Sequence, residues 1–180
     1  MNYVLIMTEG STELAFVKVL QEKNILKFDK ESLLMEKLYH SRQIDGEIMG
    51  YIQILNCNDK VIIYRVGDNL KDKLKIPKAI LSEKIADVVD ISTTPEFEIL
   101  FILNENLYDD YLKVKSNTKP CSFYKSHNKQ YNKQYSFVYN YFSKMNASQI
   151  IDLINLYVEK RGKTLSTHQK NIKELIKNKS

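Results

Sequence analysis

Residues 3–13 read Tyr-Val-Leu-Ile-Met-Thr-Glu-Gly-Ser-Thr-Glu, and this stretch decides the fold. Residues 3–7 are apolar and rich in side chains that favour sheets, which predicts a short buried strand. Gly10 permits a sharp turn, and Ser11 or Thr12 can cap a helix that follows it. Beyond the turn, apolar residues recur with helical spacing at Leu14, Val17 and Leu20. The chain is therefore predicted to begin as a strand, a turn and a helix.

Two carboxylates flank this turn. Glu9 follows the predicted strand, and Glu13 lies one turn into the predicted helix. Held in this way, the two side chains can share a hard divalent cation, because such ions take oxygen ligands. They can instead complement the positive end of the helix dipole. The spacing alone favours this second interpretation, since two glutamates four residues apart are common in helices.

Size and composition restrict the class of protein. The chain has 180 residues, of which 43% are hydrophobic, and this is enough for one domain with a buried core. We expect no membrane association, because no apolar run approaches the roughly 18 residues of a membrane span. The amino terminus has no signal-peptide pattern, and Cys57 and Cys121 are isolated. These features predict a cytoplasmic protein with reduced thiols.

The net charge of +5 is divided unevenly along the chain. Residues 1–110 contain 13 Lys and Arg against 19 Asp and Glu, a net charge of −6. Residues 111–180 contain 14 against 3, a net charge of +11. An acidic part joined to a basic part favours a metal site beside a surface for a polyanion. A solvated, lysine-rich surface explains the same pattern, and composition leaves both interpretations open.

The remaining elements follow from periodicity and turn residues. Strands are predicted at 51–55, 61–66 and 88–91, and helices at 29–38, 78–85, 95–103 and 147–159. Residues 167–180 are predicted to form a basic amphipathic helix or a frayed tail. Alternating strands and helices predict an α/β fold, a three-layer sandwich around a mainly parallel sheet, with a helical, basic C-terminal part.

Acidic residues follow two of the predicted strands. Glu9 follows the first, and Asp68 follows the strand at 61–66, with Asp72 four residues further on. Working residues of open α/β sheets collect at the carboxyl ends of the strands. Asp68 is therefore a candidate site residue, although aspartate is also an ordinary turn residue.

Three segments carry a family resemblance. Glu9-Gly10-Ser11-Thr12-Glu13 resembles the E-G-x-T-E opening of TOPRIM domains in overcoming-lysogenization-defect (OLD) nucleases and in RloB-like proteins of bacterial defence loci. Residues 91–103, with Pro95-Glu96-Phe97-Glu98, are similar to the S-x-P-x-F-E segment of the RloB-like group. Phe123-Tyr124-Lys125 resembles an aromatic-x-Lys segment downstream. The resemblance covers roughly residues 3–145 as a TOPRIM-like domain, and leaves 146–180 as a C-terminal helical extension packed on it.

The resemblance implies a site for Mg²⁺ or Mn²⁺. Glu9 would act as general base or metal ligand, and Glu13 and Asp68 would complete the cation site. TOPRIM domains carry D-x-D after the corresponding strand, whereas this chain has Leu70 at the second position. Asp72 is the nearest substitute. The resemblance also implies that the Glu98 carboxylate orients a metal-bound water or a basic side chain. It implies further that Lys125 stabilises the transition state.

The basic segment that includes Lys125 is a candidate surface for nucleic acid. Lysines neutralise phosphates, and aromatic faces stack on unpaired bases. The candidates are Lys125, Lys129 and Lys133 for phosphates, and Tyr124 and Tyr131 for bases. Tyrosines at such spacing also serve as core residues, and the sequence leaves both roles open.

Three functions remain as hypotheses. The first is a metal-dependent nuclease that cleaves RNA or DNA in bacterial or phage-related defence. The second is a non-catalytic TOPRIM-like binding or regulatory subunit that works with an ATPase partner, since RloB-like proteins are typically encoded beside an ATPase. The third is a basic RNA-binding protein with structural acids. The sequence leaves open whether the chain forms a homo-oligomer.

Overall fold

A computed structural model describes residues 2–68, 70, 72–77, 83–94, 96–161 and 169–177. The strands are β1 (Asn2–Thr8), β2 (Leu33–His40), β3 (Lys60–Gly67), β4 (Ile85–Ser92) and β5 (Gln169–Lys170). The helices are α1 (Ser11–Glu22), α2 (Gly46–Gln53), α3 (Ile99–Asn104), α4 (Tyr108–Val114), α5 (Pro120–His127), α6 (Tyr135–Ser143) and α7 (Ala147–Arg161). Short 3₁₀ turns occupy Lys30–Ser32 and Ile172–Leu175. Among these described helices, none is long and apolar enough to cross a bilayer.

The strands form one five-stranded sheet in the order β2-β1-β3-β4-β5, and every described pairing is parallel. Thr8 of β1 pairs with Val66 of β3, and Gly67 of β3 pairs with Ser92 of β4. The carboxyl ends of these three strands therefore meet at one edge of the sheet. The segments that follow them carry Glu9, Asp68 and Thr93.

The two faces of the sheet bury separate cores. Val4 and Ile6 of β1 lie in the larger core with α1, α3, α6 and α7, whereas Leu5 and Met7 lie in the smaller core with α2. This alternation follows from the two-residue repeat of a strand. Helices on both faces give three layers, so the predicted α/β sandwich with a parallel sheet is confirmed.

The larger core is centred on aromatic rings of the C-terminal half. Phe101 of α3 is fully buried and stacks on Tyr124 of α5 at a centroid distance of 5.0 Å. Tyr131 contacts both rings, at 5.5 Å from Phe101 and 5.0 Å from Tyr124. Helix α7 packs against α3 and buries Ile154 in the same core.

Two predicted elements are wrong. Residues 46–53 form helix α2 where a strand was predicted at 51–55, because Ile48 and Ile52 share one buried face and the Asp45 carboxylate accepts a hydrogen bond from the Ile48 amide at 2.9 Å. Residues 33–40 form strand β2 where a helix was predicted over 29–38. Here the parallel ladder with β1 prevails over the helical spacing of apolar residues.

Other predicted boundaries change less. Strand β4 extends the strand predicted at 88–91, and α7 extends the helix predicted at 147–159. Residues 78–82, most of a predicted helix, and Pro95 lie outside the described residues. The helix predicted to begin at Pro95 is described as α3 from Ile99. Residues 169–177 form a short strand and a 3₁₀ turn, so the described part of the C-terminal segment is not an amphipathic helix.

Strand β2 contains an irregularity at the outer edge of the sheet. Its pairing with β1 shifts between Val4, which pairs with Leu33, and Ile6, which pairs with Leu38. Within this interruption Met35 and Glu36 have positive φ angles of 52° and 55°. The extra residues bulge out of the ladder, as such insertions do at sheet edges.

Candidate functional site

Glu9 is positioned by the ends of two strands. Its amide donates a hydrogen bond to the carbonyl of Val66 at 2.8 Å, which continues the β1–β3 pairing beyond Thr8. The Glu9 side chain packs over Gly67, where an added methyl group would collide with the carboxylate. Glycine at position 67 therefore allows a carboxylate to lie across the end of β3.

A cleft with about 610 Å³ of empty space opens at this edge of the sheet. Its walls come from the β1–α1 turn, from the end of β3, from the start of α3 and from the segment before α6. The charged side chains that line it are Glu9, Glu13, Asp68, Glu98, Arg42 and Lys133. Four candidate acids from distant parts of the sequence thus share one cleft.

Glu13 is the most constrained acid of the cleft. Its side chain is buried, and it accepts a hydrogen bond from the Thr93 hydroxyl at 3.3 Å. Burial raises the pKa of Glu13, and the negative charges of Asp68 and Glu9 raise it further. A cation bound here would lower the pKa of Glu13 again, because it would neutralise the clustered negative charge.

The donor set suits a hard divalent cation. Mg²⁺ is usually held by one or two carboxylates, with waters and substrate phosphates completing its shell. As the side chains stand, no group of three or more His, Cys, Asp or Glu residues in the described part of the chain is arranged to hold a metal ion. Glu9, Glu13 and Asp68 are the carboxylates that would hold one from within the cleft.

Glu98 and Lys133 form an ion pair on the opposite wall. The Glu98 carboxylate is 2% exposed and lies 2.8 Å from the Lys133 ammonium. It also accepts a hydrogen bond from the Tyr131 hydroxyl at 2.6 Å. Burial opposes the charge of Glu98, but the bonds from Lys133 and Tyr131 outweigh it, so the net pKa of Glu98 is lowered. Glu98 is therefore ionised at neutral pH and holds Lys133 at the cleft.

Arg42 supplies a second cation, at the rim. It lies directly beyond β2, and its guanidinium is 3.2 Å from the Glu9 carboxylate. The Arg42 side chain is 68% exposed, so this ion pair is open to solvent and weak. The guanidinium can move to an incoming anion at little cost.

Two of the predicted site residues do not line the cleft. Asp72 is exposed and lies at an adjoining pocket, which Glu9 and Arg42 also line, and its backbone carbonyl accepts a hydrogen bond from Arg65 at 2.9 Å. Lys125 is exposed on α5 and is also absent from the lining. Lys133, predicted as a phosphate contact, is the lysine that reaches the acids.

The predicted base-stacking tyrosines lie in the core. Tyr124 is fully buried and donates a hydrogen bond to Glu105 at 2.5 Å. Tyr131 is 3% exposed and donates to Glu98. In this structure both rings pack against neighbouring rings, so they shape the cleft wall from behind. Lys129 is exposed in the loop after α5.

Sequence reasoning missed Arg42 as a cleft residue and Thr93 as the hydrogen-bond partner of Glu13. Arg42 follows β2, so a correct prediction of that strand would have placed it at the same sheet edge as Glu9. Thr93 follows β4 directly. Its amide donates to the Gly67 carbonyl at 2.9 Å, which sets its hydroxyl beside Glu13.

The Glu98 ion pair predicts a pH dependence of stability. Because the folded pKa of Glu98 lies below its ordinary value of 4.5, the stabilisation is complete above pH 4.5 and is lost as the pH falls through the folded pKa. We expect Lys133→Met to lower the urea midpoint at neutral pH and to flatten its decline in acid. Urea unfolding between about pH 3 and pH 7 measures this. Parallel curves for the wild type and Lys133→Met would contradict the assignment.

Comparison with known proteins found no family model, no curated protein and no solved structure that matches this chain. The TOPRIM and RloB-like resemblance therefore depends on the quoted motifs alone. The fold and cleft define a class by themselves: an α/β protein with a parallel sheet and, at the carboxyl edge of the sheet, a cleft lined by four acids and two basic residues.

Proposed function

We propose that this chain is a Mg²⁺- or Mn²⁺-dependent nuclease of the TOPRIM type, which hydrolyses phosphodiester bonds of RNA or DNA in bacterial or phage-related defence. One observation carries the proposal: Glu9 and Asp68, which follow two neighbouring parallel strands, and Glu13 of α1 line one cleft that Lys133 also lines. A metal ion held by the acids would offset the charge that develops on the phosphate oxygens during cleavage, and the Lys133 ammonium would offset it as well.

Glu9, Glu13 and Asp68 are the residues that would hold the metal ion. When bound, the ion offsets charge on the phosphate oxygens and lowers the pKa of a water ligand. Glu13 favours cation binding, because burial and the charges of Asp68 and Glu9 raise its pKa and an added positive charge would lower it again. Of these three residues, Glu9 is the candidate for the general base that accepts a proton from the attacking water.

The cations of the cleft would bind the phosphate group. Glu98 fixes the Lys133 ammonium at 2.8 Å, so the lysine loses little further conformational freedom when it meets an anion. The Ser11 hydroxyl donates to the Lys133 carbonyl at 3.1 Å and ties this segment to the start of α1. Arg42 approaches from the other side of Glu9. The exposed Lys125 and Lys129 belong to the same basic segment and extend the contact to neighbouring phosphates.

Calorimetric titration with Mn²⁺ or Mg²⁺ tests the metal site. We expect the wild type to bind the ion, and we expect the Glu9→Gln/Glu13→Gln double variant to show no heat of binding. Glutamine preserves size and removes charge, so circular dichroism should report an unchanged fold. Metal-dependent cleavage of RNA or DNA by purified protein that survives Glu9→Gln unchanged would overturn the proposal.

The buried Leu70 favours a second candidate function, a non-catalytic TOPRIM-like subunit of an ATPase-containing defence complex. Leu70 stands where the resemblance expects the second acid of D-x-D, and it is only 9% exposed. Such a subunit would bind no metal in the titration above and would co-purify with its ATPase partner. Binding at millimolar or lower concentrations that is lost in Glu13→Ala would exclude this alternative.

A further inference from the structure

A second cavity lies behind the candidate site, between α3, α4 and the end of α7. Its volume is about 370 Å³, within the usual range for small-molecule sites. The aromatic rings of Tyr108 and Tyr111 and the side chain of Leu112 give it apolar walls, while Lys115, Lys160 and Arg161 supply positive charge. Among the described residues that line it, none is acidic.

The three cations play different parts. Arg161 is buried, and its two terminal nitrogens donate to the Ser92 carbonyl at 2.7 Å and to the Thr94 hydroxyl at 2.7 Å. It therefore contributes positive potential at the inner wall. Lys160 lies 3.4 Å from the carboxylate of Glu159, and both side chains are exposed, so this pair is weak. Lys115 is exposed at the end of α4.

The two acids in the first turn of α4 do not line the cavity, and one of them, Asp110, lies 2.6 Å from the Lys113 ammonium. Positive charge at the mouth is thus left to Lys115 and Lys160, whereas the interior is aromatic and aliphatic. The Tyr108 and Tyr111 rings, with centroids 6.4 Å apart and planes inclined by 50°, form one corner of it.

We propose that this cavity binds a nucleoside phosphate, with the base against Tyr108, Tyr111 and Leu112 and the phosphates at Lys115 and Lys160. A planar apolar body fits aromatic walls, and the tyrosine hydroxyls offer hydrogen bonds to the edge of a base. The two mobile ammonium groups match a charged phosphate tail. The site is separate from the acidic cleft and does not depend on the proposed function.

Fluorescence anisotropy with N-methylanthraniloyl derivatives of ADP, GDP, CDP and UDP tests the proposal, using the full chain in metal-free buffer with EDTA. We expect at least one probe to bind with a Kd of about 100 μM or below. The unlabelled nucleoside and inorganic pyrophosphate should each compete at least about tenfold less well than the nucleotide, because each lacks half of the ligand.

Two variants and two controls locate the binding. Lys115→Glu/Lys160→Glu and Leu112→Trp should each weaken binding about tenfold or more, the first by reversing charge and the second by filling the cavity. Leu112 is 38% exposed, so the larger ring can be accommodated without disturbing the core. Lys73→Glu/Lys144→Glu carries the same charge change on exposed lysines elsewhere and should leave the Kd within about twofold. Glu13→Gln, in the acidic cleft, should also leave it unchanged.

Three outcomes would overturn the inference. The first is the absence of binding by all four probes up to about 1 mM. The second is equal weakening by the two lysine double variants, which would indicate only non-specific attraction to a basic protein. The third is loss of binding in Glu13→Gln with no effect of the cavity variants, which would assign the nucleotide to the acidic cleft.

Discussion

Glu13→Gln is expected to reduce metal-dependent cleavage by about 10³-fold or more while making the folded protein more stable at pH 7. The pKa of Glu13 is raised by burial and by Asp68 and Glu9, so the folded state holds its proton more tightly than the unfolded state. Its contribution to stability is therefore greatest in acid and falls as the pH rises from 4.5 through the folded pKa. At pH 7, which is above the ordinary pKa of 4.5, the raised pKa of Glu13 is a net cost to folding, and neutral glutamine removes that cost.

The two effects are measured separately. Cleavage rates at saturating Mn²⁺ give the first, and thermal unfolding without metal gives the second. Glu22→Gln is the matched control, because Glu22 lies at the far end of α1, where it accepts a hydrogen bond from Tyr139 at 2.7 Å that glutamine can keep. Equal melting temperatures for the wild type and Glu13→Gln would contradict the claim that the charge of Glu13 destabilises the fold, whatever the cleavage rates are.

Phe101→Ala is expected to destabilise the fold by about 3–5 kcal/mol. Phe101 is fully buried, and the rings around it are those of Phe97, Tyr124, Tyr131, Phe137, Tyr141 and Phe142. Rings on every side are held in place by their neighbours, so the space left by alanine cannot close easily. Urea unfolding followed by circular dichroism measures the loss.

Phe101→Leu is the companion variant. It keeps much of the buried volume and removes only the ring contacts, so its cost should be clearly smaller than that of alanine. A cost below about 1 kcal/mol for Phe101→Ala would show that these rings do not form a tightly packed centre. Tyr131 is one of them, so the larger loss should also loosen the wall that holds Glu98.

Local sequence signals were sufficient for most of the sheet. The strand over 3–7, the turn at Gly10 and the strand over 61–66 were predictable because each is a short apolar run bounded by turn residues. Strand β2 was not, since its central bulge breaks the two-residue alternation on which such predictions depend. Helix α2 was not predictable for a different reason, because its short apolar run suits a strand and a helix equally.

The site was predictable on its acidic side and only partly on its basic side. Glu9 and Asp68 follow strands, and the carboxyl edge of a parallel sheet brings such residues together. The choice between Lys125 and Lys133 depends on tertiary structure, because α5 turns Lys125 outward while the loop after it returns Lys133 to Glu98. Burial of Tyr124 and Tyr131 depends on the same packing of helices from distant parts of the chain.

The bulge in β2 also bears on whether the edge of the sheet can pair with a strand of a second chain. β2 ends the sheet, and a regular outer strand would offer a row of unpaired amides and carbonyls to a second chain. The positive φ angles of Met35 and Glu36 turn the backbone out of that register, and the neighbouring Lys37 places a charge beside them. A strand from another molecule would have to straighten this segment and bring its own backbone against Glu36 and Lys37. The irregularity that hid β2 from sequence-based prediction thus protects the exposed edge against fibre-like stacking.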